Sequence, residues 1–240
     1  MNQNKINRRA ACAGILGAGS GLLAAGSASA GPFRLRHSVA VPVTTAAQPT
    51  PALKNSDFYD AQGKFNEKAA KEAYLRLIEK SGLPMSDNLR KNLAVSDFSL
   101  GRFAEVGLGF MLWVDEKDAD YASIELVLLP NQMVPEHWHV AIEGENVKPK
   151  RESWIVRWGS TFTYGEGEPT AKLSVKIHDS EAKYVTVKHE TALKVGEVTG
   201  IKKAEEKHWQ QAGPQGAIIT EVSTYHTGAA VRFTNPNIKF

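Results

Sequence analysis

From Phe98 onward the chain is cut into short apolar or alternating runs separated by turn residues, and this texture constrains the fold more than any other feature. The runs are GLGFMLWV, ASIELVLLP, SWIVRWG, TFTYGEG, KLSVKI, YVTVK, TALKVG and GAIITEVST. A period of two puts every second side chain on one face of an extended strand, and runs recurring every ~8 to 12 residues build antiparallel sandwiches or barrels. The body is therefore expected to be all-β. There is no heptad pattern or internal repeat. The glycines of Gly165-Glu166-Gly167 lead into strand rather than helix, so they form no phosphate-binding loop.

Ahead of the β region, NEKAAKEAYLRLIEK places Ala70, Tyr74, Leu77 and Ile78 at helical spacing from Asn66 to Lys80, and Gly82 and Pro84 stop the helix. A second short helix is expected to begin at a Ser86 or Asp87 cap. Residues 31–56 carry Pro32, Pro42, Pro49 and Pro51 among Ser, Thr and Ala, too little apolar surface to order themselves, and read as a linker. Residues 57–240 then form one domain.

The first thirty residues read as an address. Arg8-Arg9, a Gly/Ala-rich apolar stretch to about Ala25 and the small residues Ala28-Ser29-Ala30 follow the order of a charged region, an apolar region and a cleavage site. The paired arginines point to the twin-arginine route, which carries folded proteins. Residues 1–30 are expected to be removed, leaving a periplasmic or otherwise exported protein with no stable membrane association. The apolar stretch falls short of the ~20 residues that a spanning helix needs. Lys5, Arg8 and Arg9 are the charged residues of this segment, and without them the formal charge of +3 becomes a balance of 26 basic and 26 acidic side chains. Such a chain lacks the basic footprint of a nucleic-acid binder. Its one cysteine, Cys12, also lies in the segment, so the mature chain has no thiol for a disulfide, a thiolate site or a nucleophile.

Chemistry is concentrated in PEHWHVAIEGENVKPKRESWIVRWG. His137 and His139 are two apart on a strand and share a face, so two imidazoles can meet one ion, while Trp138 points away. Glu152 opens the next run and offers a hard oxygen from a neighbouring strand. His208 precedes another apolar run and closes the set. Three imidazoles and a carboxylate suit Mn, Fe, Ni, Co or Zn and suit Ca poorly. Glu221 lies thirteen residues after His208. It either faces the interior as a proton-transfer base or sits on a solvent face. Lys150 either polarises a substrate carbonyl or is a solvated lysine in KPKRE. His178, His189 and His226 lack a partner at ligand spacing. Trp113, Trp154, Trp158 and Trp209 are expected in the core, with Trp138 and Trp209 at the rim of the site. Lys202, Lys203 and Lys207, alternating with Glu205 and Glu206, read as a solvated face.

The order of these residues, an HxH pair, a Glu followed by six residues and Gly159, then a lone His some fifty residues on, resembles the two motifs of the cupin superfamily. That resemblance implies a double-stranded β-helix of jelly-roll type. VSDFSLGRF from residue 95, LVLLPNQMVPEHWH from 126, KRESWIVRWG from 150 and the ending ITEVSTYHTGAAVRFTNPNI resemble the D-lyxose ketol-isomerase family of cupins, over about residues 65–238. The resemblance implies interconversion of D-lyxose and D-xylulose, with D-mannose and D-fructose as a related pair. It further implies manganese as the usual divalent metal, with His137, His139, Glu152 and His208 as its ligands. Lys150 matches a polar group of the family's sugar pocket, and pairing into a homodimer follows by analogy. The chain departs from the family pattern in the twelve residues between His139 and Glu152, and in Gly228-Ala229-Ala230 and Asn235 where members carry acids. The same ligand set also serves an iron cupin dioxygenase, or an exported metal-binding cupin that holds a sugar without turning it over.

Overall fold

A computed structural model describes residues 53–240, so the expected export signal and all but the last residues of the expected linker lie outside the described residues. The first helix, α1 (Glu67–Ser81), begins where the Asn66 side chain accepts from the Ala69 N–H, one of the donors a helix start leaves free. It ends where Gly82 adopts a left-handed φ of +74°, open to a residue without Cβ. Ala70, Ala73, Tyr74, Leu77 and Ile78 form its buried face. The second, α2 (Asp87–Asn92), is capped by the Ser86 hydroxyl, which accepts from the Leu89 N–H. A 3-10 turn at Asn55–Phe58 reaches into the stretch read as linker. The Asn55 amide donates to Glu105 at 3.0 Å and accepts from the Ala104 N–H at 2.9 Å, and the Phe58 ring packs edge-on against Phe103. The folded body thus takes in residues that composition alone assigns to a linker.

Nine strands follow in one antiparallel sheet: β1 (Ala94–Ser96), β2 (Leu108–Glu116), β3 (Tyr121–Leu128), β4 (Met133–His139), β5 (Glu152–Gly165), β6 (His189–Lys194), β7 (Val198–Gly200), β8 (His208–Ser223) and β9 (Val231–Phe233). The order is β1-β2-β3-β8-β4-β9, with β5 running beside β8 and carrying β6 and β7 on its other edge. Strand β8 serves two neighbours in turn: residues 208–211 pair with β4 and residues 217–223 with β3. Because β5 follows β8 along both halves, the sheet curls on itself into a half-barrel. The bend lies at Gly159 of β5 and Gly216 of β8, with φ of +72° and +92°, and a Cβ on Gly159 would come within 2.0 Å of the Gly216 carbonyl oxygen. Only glycine permits that approach.

The run Leu126–Leu129 is continuously apolar because both faces of β3 are covered. Ile124, Leu126 and Leu128 point into the half-barrel with Leu108, Val134, Trp154 and Ile219, whereas Val127 points out to the helix side with Tyr74, Leu77, Ile78, Phe103 and Ile218. The all-β reading holds, with two changes of detail. SWIVRWG and TFTYGEG are one strand, β5, bent at Gly159. KLSVKI and YVTVK are not strands, because side-chain carboxylates take the backbone donors that a ladder would need. Glu190 accepts from the Ser174 N–H at 2.7 Å, and Glu136 accepts from the N–H groups of Thr186 and Val187 at 2.6 and 3.0 Å. The alternating apolar residues of both segments still bury themselves, packing as an irregular cover over Met133, Tyr164 and Trp209.

Candidate active site

The interior of the half-barrel opens into a cleft of about 640 Å³, counting the open solvent at its mouth. His137 and His139 point into it from the end of β4, Glu152 from the start of β5 and His208 from the start of β8, and one ligand atom from each lies within 4.8 Å of all the others. Strand alternation places the two β4 histidines together, and direct pairing of His137 with His208 across β4 and β8 adds the third. The imidazole orientations are set from behind. His137 Nδ1 lies 2.9 Å from the Pro135 carbonyl and His208 Nδ1 lies 2.8 Å from the Glu206 carbonyl. A carbonyl only accepts, so each Nδ1 carries a hydrogen and each Nε2 is the atom aimed at the cleft; burial disfavours the charged form of His208, but Glu152 beside it raises its pKa above the ordinary value.

Two of the imidazole Nε2 atoms face a carboxylate oxygen. His139 Nε2 and His208 Nε2 stand 3.1 and 2.8 Å from the same Glu152 Oε1, and all three atoms are buried without a hydrogen-bond partner. Buried acceptors aimed at one another require a proton or a cation among them. The donor set, three imidazoles and one carboxylate, fits a divalent transition metal. Burial holds His137 well below its ordinary pKa, with His208 and His139 adding to the effect, and burial likewise lowers His139. Neutral imidazole is the ligating form.

Beside this cluster lie both residues whose orientation the sequence left open. Lys150 is buried, 3.0 Å from Glu152 Oε2 and in a hydrogen-bonded ion pair with Glu221 Oε1. Burial opposes its charge, but Glu152 and Glu221 hold the ammonium above its ordinary pKa. Glu221 is only 4% exposed, so the solvent-face alternative is excluded. Its other oxygen accepts from the Trp154 indole N–H at 3.3 Å. Burial raises the Glu221 carboxyl to about 7, with Lys150 opposing and Glu152 reinforcing the shift.

His226 has no ligand-spaced partner in sequence, yet it lines the cleft, its ring 6.5 Å from that of His139. Burial pushes it down to about 3, so it is a neutral imidazole. No motif marks Gln210, although its place two residues after His208 on β8 puts it on the same face, lining the cleft with Oε1 buried and unpartnered. Trp209 is not at the rim; it is fully buried and stacks on Tyr164. Trp113 is 44% exposed rather than core. Glu206 is no part of a solvated face: it is buried and accepts from the backbone N–H groups of Lys202 and Lys203. Asn235 donates to both oxygens of the buried Glu181 at 3.0 and 3.1 Å, where a second carboxylate would meet repulsion.

No family model matches the chain. A D-lyxose ketol-isomerase of a Thermofilum species is 35% identical over 72% of this chain and 93% of its own length. That of Cohnella laeviribosi is 34% identical over 71% and 91%. A D-lyxose/D-mannose isomerase of Thermosediminibacter oceani is 34% identical over 73% and 94%. Among solved structures, L-ribose isomerase of an Acinetobacter species shares the fold at 12% identity, with a TM-score of 0.57 over 76% of this chain and 95% of the other. L-ribose isomerase of Cellulomonas parahominis gives 0.54 at 13% identity over 75% and 95%. A cupin-type half-barrel, a buried three-histidine, one-glutamate cluster and relatives matched over nearly their whole length lead to one statement: the chain is an isomerase of the D-lyxose ketol-isomerase family.

Proposed function

We propose that the protein is a metal-dependent aldose–ketose isomerase converting D-lyxose to D-xylulose, with D-mannose and D-fructose as a second pair. The carrying observation is the juxtaposition of two things: unpartnered donor atoms of His139, Glu152 and His208 converging with His137, and a buried Lys150–Glu221 pair against the same carboxylate. His137, His139, Glu152 and His208 would hold the ion, with manganese the first candidate and Zn, Fe, Co and Ni able to use the same donors. A divalent cation bound there supplies Lewis-acid stabilisation of the negative charge that develops on the sugar's two reacting oxygens.

The chain's own groups move the proton. The Glu221 carboxylate takes the hydrogen from C2 as a proton. The C–H pair becomes the C1–C2 double bond while the carbonyl pair moves onto O1. Glu221 then returns the proton to C1 as the O2 proton passes to O1 and C2 becomes the carbonyl. A carboxyl raised to about 7 is matched to taking and returning a proton near neutrality. Trp154 fixes its second oxygen, and the Lys150 ammonium, paired with the first, would offset negative charge developing on the sugar. A basic carboxylate beside the donor set is what proton transfer between C2 and C1 requires, which favours the isomerase over an iron dioxygenase. The test is turnover of D-lyxose by protein stripped with a chelator and reloaded with manganese, alongside His139→Ala. D-Xylulose is expected only with metal and an intact His139; no ketose from protein holding one metal per chain would refute the assignment.

Export of the mature protein from the cytoplasm belongs to the same proposal, supported by Arg8-Arg9 and Ala28-Ser29-Ala30. Replacing both arginines by lysine is expected to leave the full-length protein in the cytoplasmic fraction. Homodimer formation is proposed by analogy alone, and light scattering on the purified protein reads it.

A further inference from the structure

The cleft is divided by the kind of atom it presents. Against Glu152 stand the charged groups Lys150 and Glu221. Next to His137 the wall is aromatic. The Phe233 ring lies 5.8 Å from the His137 ring, centre to centre; Phe98 and Phe240 each lie 5.7 Å from Phe233, and Phe110 lies 6.5 Å from Phe240. All four rings line the cleft, and none offers a hydrogen-bonding atom. Apart from the proposed metal ligands, the buried side-chain atoms of the lining that lack a partner are Gln210 Oε1 and His226 Nδ1. The cleft thus offers the remainder of a sugar two hydrogen-bonding side chains and a phenyl wall.

We propose that this cleft is built for an aldose whose end remote from the carbonyl carries no hydroxyl, a 6-deoxyhexose or a 5-deoxypentose. Gln210 and His226 bind hydroxyls of its middle, and the four phenylalanine rings receive its terminal methyl. The orientation rests on the isomerase reading, which puts the carbonyl end between the histidine cluster and Glu221. A terminal hydroxymethyl group lying against Phe98, Phe110, Phe233 and Phe240 would lose its water and gain no partner, whereas a methyl group leaves nothing unsatisfied. An apolar wall rejects an added hydroxyl only moderately, by up to about a hundredfold, so D-mannose and D-lyxose remain substrates.

The test compares kcat/KM of the manganese-loaded protein for D-mannose against 6-deoxy-D-mannose and for D-lyxose against 5-deoxy-D-lyxose. Calorimetric titration with D-mannitol and 6-deoxy-D-mannitol, which have no carbonyl and cannot react, runs alongside. The deoxy compound is expected to be favoured about tenfold in turnover and in binding. Phe240→Gln, a change at the chain's last and half-exposed residue, is expected to bring that ratio close to one. A preference for the hydroxymethyl compounds, or a ratio that Phe240→Gln leaves untouched, overturns the proposal. If no sugar is turned over, the isomerase reading falls by itself and the alditol titrations still decide: tighter binding of the deoxy alditol supports the apolar end, and tighter binding of D-mannitol, or no binding of either, overturns it.

Discussion

Glu221 and Lys150 show how little the identity of a residue says about its work until its surroundings are known. Both are ordinary charged residues in sequence, and in the structure each is almost fully buried and neutralised by the other beside Glu152. Glu221→Gln keeps the shape and can still accept from the Trp154 indole, but it removes the atom that takes the proton. The expected result is a fall in kcat of about 10² to 10⁴-fold with metal content per chain unchanged, measured by coupled assay and by elemental analysis. Asn235 makes the opposite point. Its amide donates to both Glu181 oxygens, while Arg102 pairs with Glu181 from another direction. Asn235→Asp would set a carboxylate against that buried acid, and a loss of about 1–3 kcal/mol in urea unfolding is expected. An unchanged unfolding midpoint would show that the amide at this position carries no structural weight.

At the scale of elements, the long strands β5 and β8 do most to shape the cleft, and both change direction at glycine. Gly159→Ala places a methyl carbon where the Gly216 carbonyl stands, in a backbone conformation that suits only glycine. The expected cost is above about 3 kcal/mol, or outright failure to fold, read as soluble yield and unfolding midpoint. The helix start is a milder case: Asn66→Ala removes one cap hydrogen bond at an exposed site, with an expected loss of about 1 kcal/mol and no change in kcat. The cap at Ser86 and the stop at Gly82 are legible from the chain because each depends on neighbours within four residues, whereas Asn66, read as the first residue of the helical segment, is its cap. KLSVKI and YVTVK misread as strands for the converse reason: their backbone donors are claimed by Glu190 and Glu136, and Glu136 lies some fifty residues from the segment it holds.

For the molecule as a whole, an ion held by the four side chains would join β4, β5 and β8, so folding and metal binding would be coupled. With free metal at about a hundred times its dissociation constant, the stabilisation is about 2.7 kcal/mol, or roughly 5–10 °C in Tm for a chain of this size. Differential scanning fluorimetry with and without chelator is expected to show that drop, and His139→Ala to show none. Equal melting of both forms in the parent protein would contradict the assignment of the four ligands. Among the described residues, no helix is long and apolar enough to cross a membrane.

The chain by itself determined the all-β body, the two helices with the Ser86 cap, and the grouping of His137, His139, Glu152 and His208, because each rests on local periodicity or on a motif of few residues: period two puts His137 and His139 on one face wherever that strand goes. Tertiary structure alone decided what surrounds the quartet. Period two says that Glu221 and Ile219 share a face and not that this face is inward; the wrapping of β8 between β3 and β5 settles that. It also brings Gln210, His226, Phe98 and Phe240 to one cleft from positions up to 142 residues apart, a proximity that arises from strand pairing and chain closure and leaves no trace in the residues next to them.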